Sequence, residues 1–162
     1  MWFQSCLIFL SYKNNKKCLP ISALTLKESQ LIKKLKKHAM TSMKNAYSPY
    51  SDIKVGAAVL DEHLRVYSGC NIENASYGLT ICAERVAAAK AISSGSKYFL
   101  YVLVVSDLEG FVYPCGACRQ FLMEFSSKDE DMKVVVASNK GDTRVLKLSS
   151  LLPNAFELRR VD

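Results

Sequence analysis

Three cysteines and one glutamate in this chain are spaced for metal chemistry. Cys82 and Glu84 lie two positions apart, and Cys115 and Cys118 lie three apart. Two residues between cysteines let both sulfurs reach one ion, as in zinc knuckles. Both sets fall at predicted helix starts, where free amide donors and the positive dipole end favour thiolate, the form that binds metal, over thiol. Three protein ligands leave the fourth tetrahedral position to water, which is the mark of a catalytic zinc. Cys70 is the alternative fourth ligand that would close the site, but it ends a predicted strand and has no ligand-type spacing to the others. A redox dithiol at Cys115 and Cys118 would leave Cys82 and Glu84 unexplained. Three thiolates and one zinc carry a net negative charge, which works against forming hydroxide. Arg85 and Arg119 are the counter-charges at hand. Arg85 is expected to hydrogen-bond a ligand sulfur and restore the acidity of water, whereas Arg119 reads equally well as a surface arginine.

The elements that must position these residues follow from periodicity and turn chemistry. Thr25-Leu26-Lys27-Glu28 has the form of a capping box, so a helix is predicted to begin there. Leu31, Leu35, Ala39 and Met43 recur every fourth position as its buried stripe, and the segment 45–50 with Pro49 ends it. Residues 55–60 and 64–70 read as a hairpin around Asp61-Glu62-His63. Residues 81–94 have helix composition, with alanines that allow close approach and Gly95 as the C-terminal cap. The apolar run 98–106 is a central strand, Pro114 precedes a helix over 115–127, and 132–137 and 143–148 are two further strands. Alternation of this kind predicts an α/β fold, a three-layer α/β/α arrangement around a mixed five-stranded sheet, because strand-helix-strand units need crossover connections.

The chain has 162 residues, 49% of them apolar, which suits one domain with its own core. We read residues 1–22 as an extension of unassigned role and 23–162 as a single catalytic domain. The net charge of +7 is unevenly placed: residues 1–44 hold nine Lys and one acid, Glu28, so the other 118 residues hold thirteen basic and fourteen acidic groups. Lys33, Lys34, Lys36 and Lys37 therefore read as a solvated helix face and not as a nucleic-acid surface. The apolar run 6–10 is too short for a secretory signal, no segment is long enough to span a membrane, and the six cysteines are unevenly spaced. A reducing cytoplasm is the expected compartment. His38 and His63 are assigned to helix surface and turn.

Cys82-Ala83-Glu84-Arg85 together with Pro114-Cys115-Gly116-Ala117-Cys118-Arg119-Gln120 resembles the zinc signature of the cytidine deaminases, specifically the small homotetrameric class. The similarity runs over about residues 25–156, through Ala46-Tyr47-Ser48-Pro49-Tyr50-Ser51, Val55-Gly56-Ala57-Ala58 and Gly69-Cys70-Asn71-Ile72-Glu73-Asn74-Ala75. It implies one Zn²⁺ per subunit on Cys82, Cys115 and Cys118, with Glu84 as proton shuttle for hydrolytic deamination of cytidine and 2′-deoxycytidine. It also implies that Asn71 and Glu73 hold the ribose, that Ala83 and Ile53 border the substrate, and that Tyr77 and Phe156 reach an adjacent subunit's site. Asn71 and Glu73 face the same way if the strand continues through them. Ile53 departs from the family's usual Phe and offers apolar surface without stacking. The alternatives are a deaminase of a related substrate, such as a blasticidin-type nucleoside, cytosine or a nucleotide, and a non-enzymatic zinc module that binds nucleic acid through the N-terminal lysines.

Overall fold

The computed structural model describes residues 21–127 and 130–158. All but the last two residues of the expected 1–22 extension lie outside them. Five strands, β1 (Val55–Asp61), β2 (Val66–Cys70), β3 (Phe99–Ser106), β4 (Lys133–Ala137) and β5 (Thr143–Lys147), form one sheet in the order β2-β1-β3-β4-β5. Only β3 and β4 pair in parallel; the other three pairings are antiparallel. The apolar run at the centre of the sequence is thus the central strand, as its lack of polar residues requires.

Both faces of the sheet are covered over β1, β3 and β4, so side chains of alternating direction are buried along these strands. Ala57, Val59, Val102, Val104, Val134 and Val136 point to one side, where α2 (Ala83–Ser93) and Leu122 of α3 (Gly116–Met123) meet them. Ala58, Leu60, Leu103, Val105, Val135 and Ala137 point to the other, against Leu35 and Ala39 of α1 (Ile21–Met43). This is the three-layer α/β/α arrangement. Two glycines set how closely the helices lie: a Cβ on Gly56 would sit 2.1 Å from the Ala39 carbonyl oxygen, and one on Gly69 would sit 2.6 Å from the Ala87 nitrogen and 2.8 Å from the Ala83 oxygen. Any side chain at Gly69 would push the first turn of α2 off the sheet.

Several boundaries differ from the sequence reading, three of them for a visible reason. α1 begins at Ile21, not at Thr25. Glu28 does not turn back as a capping-box partner; its Oε1 accepts from Tyr101 Oη and Lys133 Nζ, both at 2.8 Å, tying α1 to β3 and β4. α3 ends at Met123, short of the predicted 127, because Phe125 turns to pair with the sheet: its carbonyl accepts from Phe99 N–H at 2.9 Å and its ring lies 5.4 Å from that of Phe99. Leu148 leaves the last strand to start a one-turn helix, α4 (Leu148–Leu151). Among the described residues, no helix is long and apolar enough to cross a membrane.

The β1-β2 turn is fixed by Asp61, whose carboxylate is fully buried. Its Oδ1 accepts from the His63 and Arg65 N–H groups at 3.0 and 2.7 Å, and its Oδ2 from Arg65 Nε at 2.7 Å and Ser96 Oγ at 2.8 Å. Burial pushes its pKa up, but these donors outweigh burial and hold it below the ordinary value. A depressed carboxyl contributes stability above its unfolded pKa and loses it as pH falls through the folded value. Asp61→Asn is therefore expected to lower Tm by about 5 °C at neutral pH, with the gap to wild type closing below roughly pH 4. Thermal melts at pH 7, 5 and 3 check both the size and the sign.

Candidate active site

The strand directions decide which ends of the helices meet. β2 and β3 each run antiparallel to β1, so they point the same way and their C-terminal ends lie at one edge of the sheet. The chain leaves β2 for α2 and leaves β3 for α3, and both helices start at that edge. Cys82 is the N-cap of α2 and Cys115 the N-cap of α3, both extended, with ψ of 153° and 168°. Neither thiol caps its own helix, so both sulfurs remain available. Pro114 precedes the cap and is not the first helical residue. Cys118 lies in the first turn of α3 and is fully buried.

The three sulfurs lie within 4.8 Å of one another, and Cys82 Sγ is 3.9 Å from Cys115 Sγ. Sulfurs around a tetrahedral zinc, each at about 2.3 Å, stand roughly 3.8 Å apart. The donor set therefore fits a thiophilic tetrahedral ion. Cys70 is not among these ligands, so no fourth protein group closes the site among the described residues. The Cys118 thiol, with Arg85 and Cys115, brings the Cys82 pKa down to about 5 against the effect of burial. The same interaction with Cys82 pushes Cys118 up.

Glu84 sits in the first turn of α2 with only 4% of its surface exposed. Burial, reinforced by the neighbouring Cys82 charge, raises its pKa. Arg85 donates from Nη2 to the Thr80 carbonyl at 2.9 Å, while its buried Nε has no conventional partner. Burial opposes its charge, but the Cys82 and Cys118 sulfurs hold its pKa above the ordinary value. Arg119 is directed differently: Nε donates to the Pro114 carbonyl at 2.7 Å and Nη1 to that of Leu151 at 2.9 Å. It braces backbone.

Asn71 and Glu73 do not share a continuing strand, since β2 ends at Cys70 and Ile72 instead bridges Tyr47 and Ile81. Both nevertheless reach the same segment. Asn71, 8% exposed, accepts from Val55 N–H and donates to the Ile53 carbonyl, each at 2.9 Å. The Glu73 carboxylate accepts from Tyr50 N–H at 2.9 Å, from Ser51 N–H at 3.3 Å and from the Ser51 hydroxyl. These donors hold its pKa down, the Ser51 hydroxyl most strongly. Ala83, the first residue of α2, is buried, Ile53 is half-buried, and Tyr77 and Phe156 are 82% and 70% exposed. The sequence reading assigned no role to Ser51 or Gln120. Both stand inside the motifs quoted above, but their partners lie 22 and 36 residues away and no local spacing reveals them.

The fold and the three convergent sulfurs define a class: an α/β/α domain with a metal centre on two helix N-termini at one sheet edge. Residues 29–137 match the model of the cytidine and deoxycytidylate deaminase zinc-binding region, and the chain belongs to that family. It is 46% identical over 125 residues to a cytidine deaminase of Sporosarcina psychrophila, covering 77% of this chain and 90% of that protein. It is 47% identical over 120 residues to a cytidine deaminase of Halalkalibacterium halodurans, covering 74% and 89%. The solved structure of cytidine deaminase from Burkholderia pseudomallei superposes with a TM-score of 0.72 at 42% identity, covering 76% of this chain and 98% of the other.

Cys115 is exposed, so its replacement spares the core. After dialysis against a chelator, Cys115→Ser is expected to have lost most of its zinc while Cys70→Ser keeps the wild-type content. Elemental analysis decides, and wild-type zinc in Cys115→Ser would remove that residue from the ligand set.

Proposed function

We propose that this protein is a zinc-dependent hydrolase that converts cytidine and 2′-deoxycytidine to uridine and 2′-deoxyuridine with release of ammonia, serving pyrimidine salvage in the cytoplasm. The observation that carries the reading is a buried carboxyl, Glu84, two residues from a thiol that converges with two others. The relatives that share this chain's family and most of its length are cytidine deaminases. One zinc per subunit on Cys82, Cys115 and Cys118 would supply Lewis acidity and lower the pKa of water toward neutrality.

The remaining chemistry falls to the chain's own groups. Glu84, whose burial raises its proton affinity, takes the proton of the attacking water and delivers it to N3 of the pyrimidine as oxygen adds to C4. It then carries a second proton to the amino nitrogen, which departs as ammonia. Arg85 offsets the negative charge of the sulfurs it faces. Asn71 and Glu73 bind the sugar through a hydroxyl that ribose and 2′-deoxyribose share, and polar partners of this kind reject ligands that lack it. A sugar hydroxyl meets Glu73 beside Ser51, using lone pairs that the loop leaves over. Ala83 and Ile53 border the base, with Ile53 giving apolar contact but no ring to stack.

Tyr77 and Phe156 do not cover their own site as isolated rings; they serve a neighbouring one. Their exposure, with that of Tyr47, Leu79, Ile72 and Ile81, supports a homotetramer whose sites are shared between subunits. Light scattering is expected to give the mass of four chains; a monomer active at high dilution would overturn the shared-site assignment. Glu84→Gln is expected to lower kcat by about 10²- to 10⁴-fold with zinc retained, followed through the loss of cytidine ultraviolet absorbance. A zinc-loaded variant of undiminished activity would sink the proton-shuttle role. Absence of ammonia release by the wild type, with salt-dependent oligonucleotide binding, would favour a nucleic-acid module instead.

A further inference from the structure

We infer that Gln120 is a positioning residue that holds the Phe156 ring in place for the substrate site of a neighbouring subunit. The inference rests on the reading above that Phe156 serves that site. The Gln120 amide pairs with the Phe156 backbone at two points: Nε2 donates to the carbonyl at 2.8 Å, and the Phe156 N–H donates to Oε1 at 3.3 Å. Two antiparallel bonds of this kind fix both the place and the rotation of a peptide, as a ladder pair does between strands. Among the described residues nothing else does so here. The segment 153–158 has no helix or strand, and among the described residues it has no other hydrogen bond. Its ring, 70% exposed, gains no hold from the core either, since the apolar clusters reach Leu151 and stop there.

The anchor is placed next to the chemistry. Gln120 lies two residues beyond Cys118 on α3, and Arg119 between them grips the Leu151 carbonyl at 2.9 Å. The helix that carries two sulfurs thus also carries both ends of the segment that presents Phe156. An exposed ring on an unpaired segment would lose conformational freedom on every binding event; fixing its backbone beforehand removes that cost. The amide is needed for this because it offers a donor and an acceptor side by side. A carboxylate of the same shape would set an oxygen against the Phe156 carbonyl.

The test compares Gln120→Glu, Phe156→Ala and the double variant as full-length zinc-loaded enzymes. Gln120→Glu is expected to raise KM for cytidine about three- to tenfold with kcat within about twofold of wild type. The double variant is expected to match Phe156→Ala alone, because Gln120 acts through that ring. Amide hydrogen exchange at Phe156 should accelerate at least about tenfold in Gln120→Ala, which lacks the Oε1 acceptor, a readout independent of turnover. A raised KM in Phe156→Ala beside an unchanged one in Gln120→Glu overturns the positioning role alone. Additive effects, or exchange at Phe156 as slow as in wild type, overturn it as well. An unchanged KM in Phe156→Ala overturns the substrate role of Phe156, and the inference falls with it.

Discussion

The site depends on bringing two helix N-termini to sulfur-contact distance. Like thiolates repel, and nothing within α2 or α3 would draw Cys82 toward Cys115 and Cys118. The sheet does it: β2 and β3 point the same way on either side of β1, so the helices that follow them begin at the same edge. This is the general logic by which α/β sheets place ligands beyond the carboxyl ends of their strands. Gly69 sharpens it, since only a residue without Cβ lets the first turn of α2 rest at that distance. Arg85 then supplies charge where three sulfurs concentrate it.

Around that centre, loops are held by side chains and not by ladders. Asn71 and Glu73 each grip backbone of the 50–55 segment, and through it they set where Ile53 stands. Polar groups with satisfied partners define a geometry that apolar packing alone would leave loose. The chain at and after the end of α4 follows the same plan, with Arg119 bonding the Leu151 carbonyl and Gln120 that of Phe156. Apolar rings near the site, Tyr77 and Phe156 among them, meanwhile stay exposed.

The far end of the sheet is built for stability. Asp61 gathers four donors from a single turn and Ser96, and Glu62 accepts from the Lys97 and Tyr98 N–H groups beside it. On the other face, the Glu28 carboxyl is held below its ordinary pKa by the hydrogen bonds from Lys133 and Tyr101. α1 thereby has an acidic anchor inward, while Lys33, Lys34 and Lys37 stay exposed on it. These exposed lysines lie on the opposite side of the sheet from the sulfurs.

Much of this was legible in the sequence. Local apolar runs and turn residues placed all five strands, and the short intervals around Cys82 and Cys115 named the sulfurs, because helix starts and metal spacing are properties of a few consecutive residues. Boundaries set by distant partners were not legible: Thr25 and Glu28 read as a cap until Tyr101 and Lys133, far along the chain, claimed the carboxylate. Asn71 and Glu73 were picked out as a pair, yet the strand expected to align them ends at Cys70, and it is the 50–55 segment that unites them. The three cysteines and the glutamate were singled out by sequence alone. Their convergence, the burial of Glu84 and the grip of Gln120 on Phe156 were decided only by tertiary structure, since contacts across many residues depend on strand order and direction, which no local spacing encodes.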